Sequence, residues 1–393
     1  MHKYWKIIIP SLFALAMLLG LAQRSNNPYL NFQSRIFHFE NSSPSDKSLT
    51  DYYNLSKQLA GQNQASSTVN FLAVGDIMLS RNVAASIKKT ENPLLPFSQM
   101  ANVLNGADFA FGNLESPFSG SDYFNASGSM VFNAPKNNIT GLTEYKFKIL
   151  NLANNHALDQ GIKGSDYTIK YLSDNQIQHI GAGDNLDQAW QPAIIEQNGI
   201  KIGFVGASYS SINDSGKTKN DYVARIENLE KLKATIYKLK AECDFIVATM
   251  HAGVEYTRTP NQAQKNFAHA AIDAGADMVI GSHPHWIQTM EKYNDKYIFY
   301  SLGNFIFDQM WSTDTKEGLV LKIQVSKNQG PNPIISGAAK SDDLQGQRVP
   351  AKLDKIELIP IVIENYSTPR PGNEQETKKI LEKIGQNSSV LMP

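Results

Sequence analysis

ADMVIGSHPHWIQ, residues 276–288, joins a short apolar run to two histidines that stand on either side of a proline. A run of that length bounded by turn-forming residues is consistent with a buried strand. Pro284 fixes its own φ near −65° and disfavours helix at the residue before it, so His283 is expected to be extended. His283 and His285 are thus expected in a rigid, non-helical segment where a strand ends. The chain holds 8 histidines in 393 residues. Two imidazoles so placed suit a metal ion, and they equally suit a polar loop, so the residues around them must decide.

The same pattern recurs in both directions. Upstream, VNFLAVG (69–75) precedes the helical pattern RNVAASIKK, and ADFAFGN (107–113) follows. FKILNLA (147–153) precedes the helical GSDYTIKYLSDN. PAIIEQNGIKIGFVGAS (192–208) reads as a hairpin turning at Asn198-Gly199. A helix from about Arg225 to Glu242 leads into DFIVATMH (244–251), and another near Gln262 to Ala274 leads into ADMVIG. Downstream, YIFYSLGNFIF, GLVLKIQV and KIELIPIVIE read as strands of more antiparallel character. This order predicts a layered α/β domain from 69 to 366. A long irregular insertion spans 326–351, and a C-terminal helix and loose tail are expected over 367–393.

Composition narrows the function classes. Hydrophobic content of 41% with 19% charged residues suits a globular core, and Lys+Arg 37 against Asp+Glu 37 leaves a net charge of +0. No basic run marks a nucleic-acid partner. The single cysteine, Cys243, excludes an intrachain disulfide and a cysteine metal cluster, and it reads as a small buried residue. At the N-terminus Lys3 and Lys6 precede an uncharged run from Ile7 to Ala22. That is the pattern of an export signal over residues 1–22, either cleaved after Ala22 or retained as an anchor with Lys3 and Lys6 inside. The Asn-, Ser- and Gln-rich residues 23–68 read as a spacer, which puts the domain outside the cytoplasm, at the cell membrane or secreted.

Polar residues gather at the C-terminal ends of the apolar runs: Asp76, then Asn113 and Glu115, then Asn154, Asn155 and His156. His251 with Glu255, His283 with His285, and Asn304 with Asp308 complete the set. In α/β sheets the loops beyond the carboxyl ends of strands form the ligand crevice. Carboxylate, carboxamide and imidazole together suit one or two divalent ions of Mn, Fe or Zn, with no thiolate to favour a structural zinc site. Taken singly, each residue has a plainer reading. Asp76 and Asn113 fit turn or cap positions, an Asn of the 154–155 pair fits an Asx-turn, and His251 fits a satisfied core histidine. His179 and His269 are assigned to structure, and Tyr256, Trp286 and Phe307 to packing. Joint occurrence of the strand-end set favours a metal centre.

The stretches VGDIMLSR, FGNLESPFS, NLANNHALDQG, HAGVEY, GSHPHWIQ and YSLGNFIFD, in this order over roughly 70–310, resemble the CapA family. These are poly-γ-glutamate capsule biosynthesis proteins whose domain is related to calcineurin-like metallophosphoesterases. The resemblance implies a four-layer αββα sandwich with a metal site at the sheet edges. It also implies Asp76, Asn155, His251, His283 and His285 as metal ligands and His156 as the catalytic histidine. Two departures stand out. Met78 occupies the place of a histidine ligand, and the bridging aspartate is replaced by the Asn113/Glu115 region, which leaves Glu115 as the candidate for the bridging place. The implied partners are the membrane, polyglutamate or a related polymer, and membrane synthase subunits. Three functions stay open: a metal-dependent hydrolase or transferase on a surface polymer or its precursor, a non-enzymatic accessory subunit, and a general surface phosphodiesterase.

Overall fold

Strands β1 (Ser66–Ile77), β2 (Phe109–Leu114), β3 (Phe147–Asn151) and β4 (Gln178–Ile180) run parallel and side by side. The structure, a computed structural model, describes residues 66–209, 221–328, 349–386 and 389–393. The expected signal or anchor, and the spacer up to residue 65, lie outside the described residues, as does most of the 326–351 insertion. No helix among the described residues is long and apolar enough to cross a membrane.

Two sheets form. Strands β5 (Ala193–Gln197), β6 (Ile200–Ser208), β7 (Phe245–His251), β8 (Met278–Ser282), β9 (Met290–Tyr293) and β10 (Lys296–Phe299) build one in the order β5-β6-β7-β8-β10-β9. The other continues from β1 into β11 (Asn304–Ile306), β12 (Glu317–Asn328), β13 (Lys352–Glu364), β14 (Thr368–Pro371) and β15 (Val390–Leu391). Its order is β14-β13-β12-β1-β2-β3-β4, with β11 beside β1 and β15 beside β13. The β5–β6 hairpin turns at Asn198 and Gly199 as expected, both at positive φ (52° and 75°), the conformation that Asn-Gly adopts most readily.

Three apolar cores order the layers. Phe71, Phe109 and Ile323 of the first sheet meet Phe204, Val247 and Ile280 of the second. Outside the first sheet, Leu72, Val74 and Leu150 pack on helices α1 (Arg81–Thr90) and α2 (Gly161–Asp174) through Val83, Ile87 and Leu172. Outside the second, Val205, Ile246 and Val279 pack on α3 (Leu229–Glu242) and α4 (Gln262–Ala274) through Leu232, Ile236, Phe267 and Ala271. The result is an αββα sandwich of four layers, as the resemblance implied. Helix α4 falls where it was expected because both ends are marked: Asn261 and Gln264 form a capping box, and Gly275 closes it at φ +112°.

The C-terminal end differs from expectation. Beyond residue 366 the chain is built into the first sheet: β14 and β15 pair with β13, and Ile380, Leu381, Ile384 and Leu391 enter the inter-sheet core. Helix α5 (Glu374–Lys383), capped by Asn373 and Glu376, carries two of those side chains. A loose end was expected because β15 spans only two residues, too few to show a period.

Candidate metal centre

Strand register sets a row of polar side chains across the C-terminal edge of each sheet. In the first, Asn304, Asp76, Asn113 and Asn151 are successive cross-strand neighbours on β11, β1, β2 and β3. In the second, Ser208, His251 and Ser282 line up on β6, β7 and β8. The close approach of β11 to β1 requires Gly75, where an added Cβ would fall 1.8 Å from the carbonyl oxygen of Gly303. Asp76 then donates its N–H to that oxygen at 3.1 Å. The glycines of VGD and SLGN thus bring Asp76 beside Asn304.

Loops leaving the strands complete the cluster. Asn113 Nδ2 donates to Asp76 Oδ1 (2.8 Å) and lies 3.1 Å from His251 Nδ1, while Asn151 Nδ2 donates to Asn113 Oδ1 (2.9 Å). His251 Nδ1 is also 3.0 Å from Ser282 Oγ, and its Nε2 lies 2.7 Å from Asn155 Oδ1. The two sheets meet where the His283 N–H donates to Asp76 Oδ2 at 3.3 Å. His285 Nδ1 sits 2.9 Å from Asn304 Oδ1 and 3.5 Å from Asp76 Oδ2. Glu115 Oε1 faces three imidazoles: His156 Nε2 at 3.7 Å, and His251 Nε2 and His285 Nε2 at 3.9 Å. Ligand atoms of Asp76, Glu115 and His251 all lie within 4.8 Å of one another.

Electrostatics follow from burial. Glu115 is held well above the ordinary carboxylate range, first by desolvation and then by the charges of Asp76 and Glu255, against which Arg81 acts. His251 and His283 are pushed well below the ordinary imidazole range, again first by burial and then by neighbouring histidines. Both shifts favour the neutral imidazole, the form that offers a lone pair. Both Glu115 carboxylate oxygens and His283 Nδ1 are buried without a hydrogen-bond partner. Buried polar atoms are normally satisfied, so a carboxylate orphaned at both oxygens, with an unpartnered imidazole nitrogen in the same cluster, leaves a demand for positive charge. Carboxylates, imidazoles and a carboxamide are the donor set for a borderline divalent ion. The residues fit a metal.

His156 stands at the edge of the cluster with a partner of its own. Its Nδ1 lies 2.8 Å from Asp159 Oδ2, its ring stacks on Phe132 at 4.0 Å, and its Nε2 faces Glu115. Asp159 accepts an Nδ1 proton, which leaves Nε2 as the nitrogen open to the site.

Residues 70–309 match the family model described as bacterial capsule synthesis protein PGA_cap. The chain belongs to this capsule-synthesis family. It is 31% identical to the capsule biosynthesis protein CapA of Bacillus anthracis over 314 residues, 72% of this chain and 76% of that protein. It is 32% identical to the PGA biosynthesis protein CapA of Bacillus subtilis over 257 residues, 65% of this chain and 67% of that one. Among solved structures, the calcineurin-like phosphoesterase YfkN of Bacillus subtilis aligns with a TM-score of 0.44 at 14% identity, over 82% of this chain and 98% of that one.

This member of the capsule-synthesis family brings Asp76, Glu115, Asn155, His156, His251, His283 and His285 to one place. Asn113 lies among them as a hydrogen-bond hub. His283 departs from the extended backbone expected before a proline: its φ is +100°, and that of His285 is +58°. Each left-handed non-glycine residue costs on the order of 1–3 kcal/mol. The turn is held by the His283 N–H bond to Asp76 and by the Tyr256 N–H bond to the Pro284 carbonyl (2.9 Å). Met78 does not stand free as a ligand position. It is fully buried in the outer core of the first sheet, and its sulfur accepts the Ser80 N–H at 3.1 Å. Asn151, Asp159 and Ser282 were missed. Asp159, three residues after His156 in NNHALD, was open to notice. Asn151 and Ser282 inside apolar strands carried no signal. His179 and His269 lie outside the cluster, on β4 and α4, and Cys243 is a buried thiol outside it. Two surface cavities of about 350 and 470 Å³ also lie elsewhere, around Cys243 and Asp277 and around Lys233 and His269.

Proposed function

We propose that the protein is a metal-dependent hydrolase or transferase acting on a surface polymer or its precursor in poly-γ-glutamate capsule synthesis or export. The observation that carries this reading is Glu115: a buried carboxylate with no hydrogen-bond partner, facing His156, His251 and His285. Asp76, Glu115, Asn155, His251, His283 and His285 would hold a divalent ion. When bound, such an ion supplies Lewis-acid polarisation of an ester, phosphoryl or amide oxygen.

The remaining work falls to side chains of the protein. Asp159 fixes the ring of His156 through Nδ1, so that Nε2, when it carries a second ring proton, passes that proton to a leaving group or stabilises charge developing on it. Phe132, stacked on one face of that ring, keeps water from it. Asn113 ties Asp76 to His251 and keeps the carboxylate and the imidazole turned to the same point.

The domain is proposed to lie outside the cytoplasm behind an N-terminal anchor, supported by Lys3 and Lys6 ahead of the apolar run 7–22. Protease added to intact spheroplasts should then digest it, and full protection overturns the topology. The catalytic reading is tested by metal analysis of the purified protein and turnover of phosphodiesters and γ-glutamyl peptides. A bound divalent ion and an activity lost in Glu115→Ala support it. A protein that takes up no metal, or turns over neither substrate class with metal bound, overturns it in favour of an accessory subunit.

A further inference from the structure

Arg81 closes the motif VGDIMLSR and Asp308 closes YSLGNFIFD; beyond the pull of the Arg81 charge on Glu115, neither has a part in the chemistry described above. Their side chains nevertheless form a buried ion pair. Asp308 Oδ2 also accepts the Asn82 N–H at 3.2 Å, and Arg81 Nη1 donates to the Ser129 carbonyl at 2.9 Å. The guanidinium carbon lies 4.8 Å from the ring centre of Phe132 and 5.6 Å from that of Phe307. Those two rings meet edge to face at 6.1 Å.

Each ring reaches one half of the site. Phe132 stacks on His156 at 4.0 Å with 25° between the planes, and its N–H donates at 2.6 Å to Asp159 Oδ2, the oxygen that holds His156 Nδ1. Phe307 lies 4.8 Å from the ring of His285. A chain of ring contacts therefore runs from His156 through Phe132, Arg81 and Phe307 to His285.

We propose that Arg81, fixed by Asp308, is a positioning residue that sets the ring of His156 against the metal-ligand side of the site. This rests on the catalytic role given to His156 above. Two costs argue that the guanidinium is kept for such a purpose. Its backbone is left-handed, at φ +44°, and its Nε is buried without a partner. A buried ion pair is moreover often no more stable than apolar residues of similar volume. The planar cation does what an apolar side chain would not. It attracts both aromatic faces at once while its fork ties the loop carbonyl of Ser129 to the Asp308 carboxylate. Gln160 Nε2 holds the Phe132 carbonyl at 2.8 Å, so the loop stays attached without Arg81, and what is lost is the seating of the ring.

The test is the double variant Arg81→Met/Asp308→Asn in the full chain, which removes both charges and leaves an acceptor for the Asn82 N–H. With ring-labelled histidine, and His156→Ala to assign the signal, the carbon-bound protons of His156 in the wild type should resonate upfield, shielded by Phe132. In the double variant that upfield displacement should be lost, while the protein melts no lower than the wild type and binds the same metal. On a substrate the wild type turns over, kcat should fall about 10²-fold, as a displacement near 1 Å can cause, with KM nearly unchanged. Arg81→Lys, which keeps the charge and loses the fork, should recover part of both signals. A double variant with the His156 resonance and kcat of the wild type overturns the proposal, and so does loss of metal with the resonance unmoved. If the wild type turns over nothing, the catalytic reading fails, and the resonance still decides whether Arg81 seats His156.

Discussion

Asn304 Oδ1 lies 2.9 Å from His285 Nδ1, and Asn304 is the strand neighbour of Asp76. A carboxamide oxygen accepts, so Nδ1 carries the proton and Nε2 keeps its lone pair on the side of Glu115. One strand position thus orients a candidate ligand on the far sheet. Asn304→Ala is expected to lower metal affinity about 10–100-fold, as loss of a partner to a ligating histidine typically does. Competition with a chelator measures it, and an unchanged affinity removes His285 from the ligand set.

Glu115 sets stability against metal binding. Its folded pKa is raised, so near neutral pH the fold holds a proton there that the unfolded chain has released, or bears a buried charge. Either way it weakens the metal-free fold as pH rises above the ordinary carboxylate range, until the raised folded value is passed. Glu115→Gln should melt higher than the wild type in chelator at pH 7, with the gap closing toward pH 4. With saturating metal the order should reverse, because only the wild type gains the binding free energy.

Proton release follows from the same signs. Burial pushes His251 and His283 toward their neutral forms and Glu115 toward its protonated form, so Glu115 is the expected source of a proton displaced by a metal. Calorimetry in two buffers of different ionisation enthalpy should report more proton release per ion from the wild type than from Glu115→Gln near neutral pH. Affinity should accordingly rise with pH. Equal release in both proteins would assign the proton elsewhere.

His156→Ala should lower turnover roughly 10²–10⁴-fold with metal content retained, the range for a lost general acid or base. Asp159→Asn should act in the same direction, since Nδ1 then loses its carboxylate while the Phe132 N–H keeps an acceptor. A His156 variant that loses its metal would make that residue a ligand.

Met78→His bears on a latent second site. The methionine is fully buried and belongs, with Leu79, Phe118 and Phe305, to the outer core of the first sheet. An imidazole there is expected to destabilise by roughly 1–3 kcal/mol, as a buried group lacking its hydrogen bonds, and to bind no further metal. Two ions per chain in the variant would contradict that placement.

The residues that were legible in sequence lie at strand ends, where a polar side chain breaks an apolar run. Asp76, His251 and the His283–His285 pair are of this kind. Asn151 and Ser282 were hidden because their value depends on register: Asn151 matters only once β3 lies beside β2 and reaches Asn113. A layered α/β domain was readable from alternating runs and helices, and the order of its four layers came from the family resemblance. The left-handed turn at His283 was not, because local preference before proline was overridden by a bond to Asp76, distant in sequence and supplied only by the folded sheet.

The order of strands around β1 bears on how the chain reaches this state. One edge of β1 pairs with β2, soon after it in the sequence, and the other with β12, near the opposite end. Until Glu317–Asn328 has been synthesised and has closed that loop, β1 keeps an open edge, and Phe71 and Val69 lack the cover of their second neighbour. Pairings between such distant segments slow folding and expose unpaired edges to other chains. Asp76, among the first parts of the site to be made, therefore waits for nearly the whole domain before its surroundings exist.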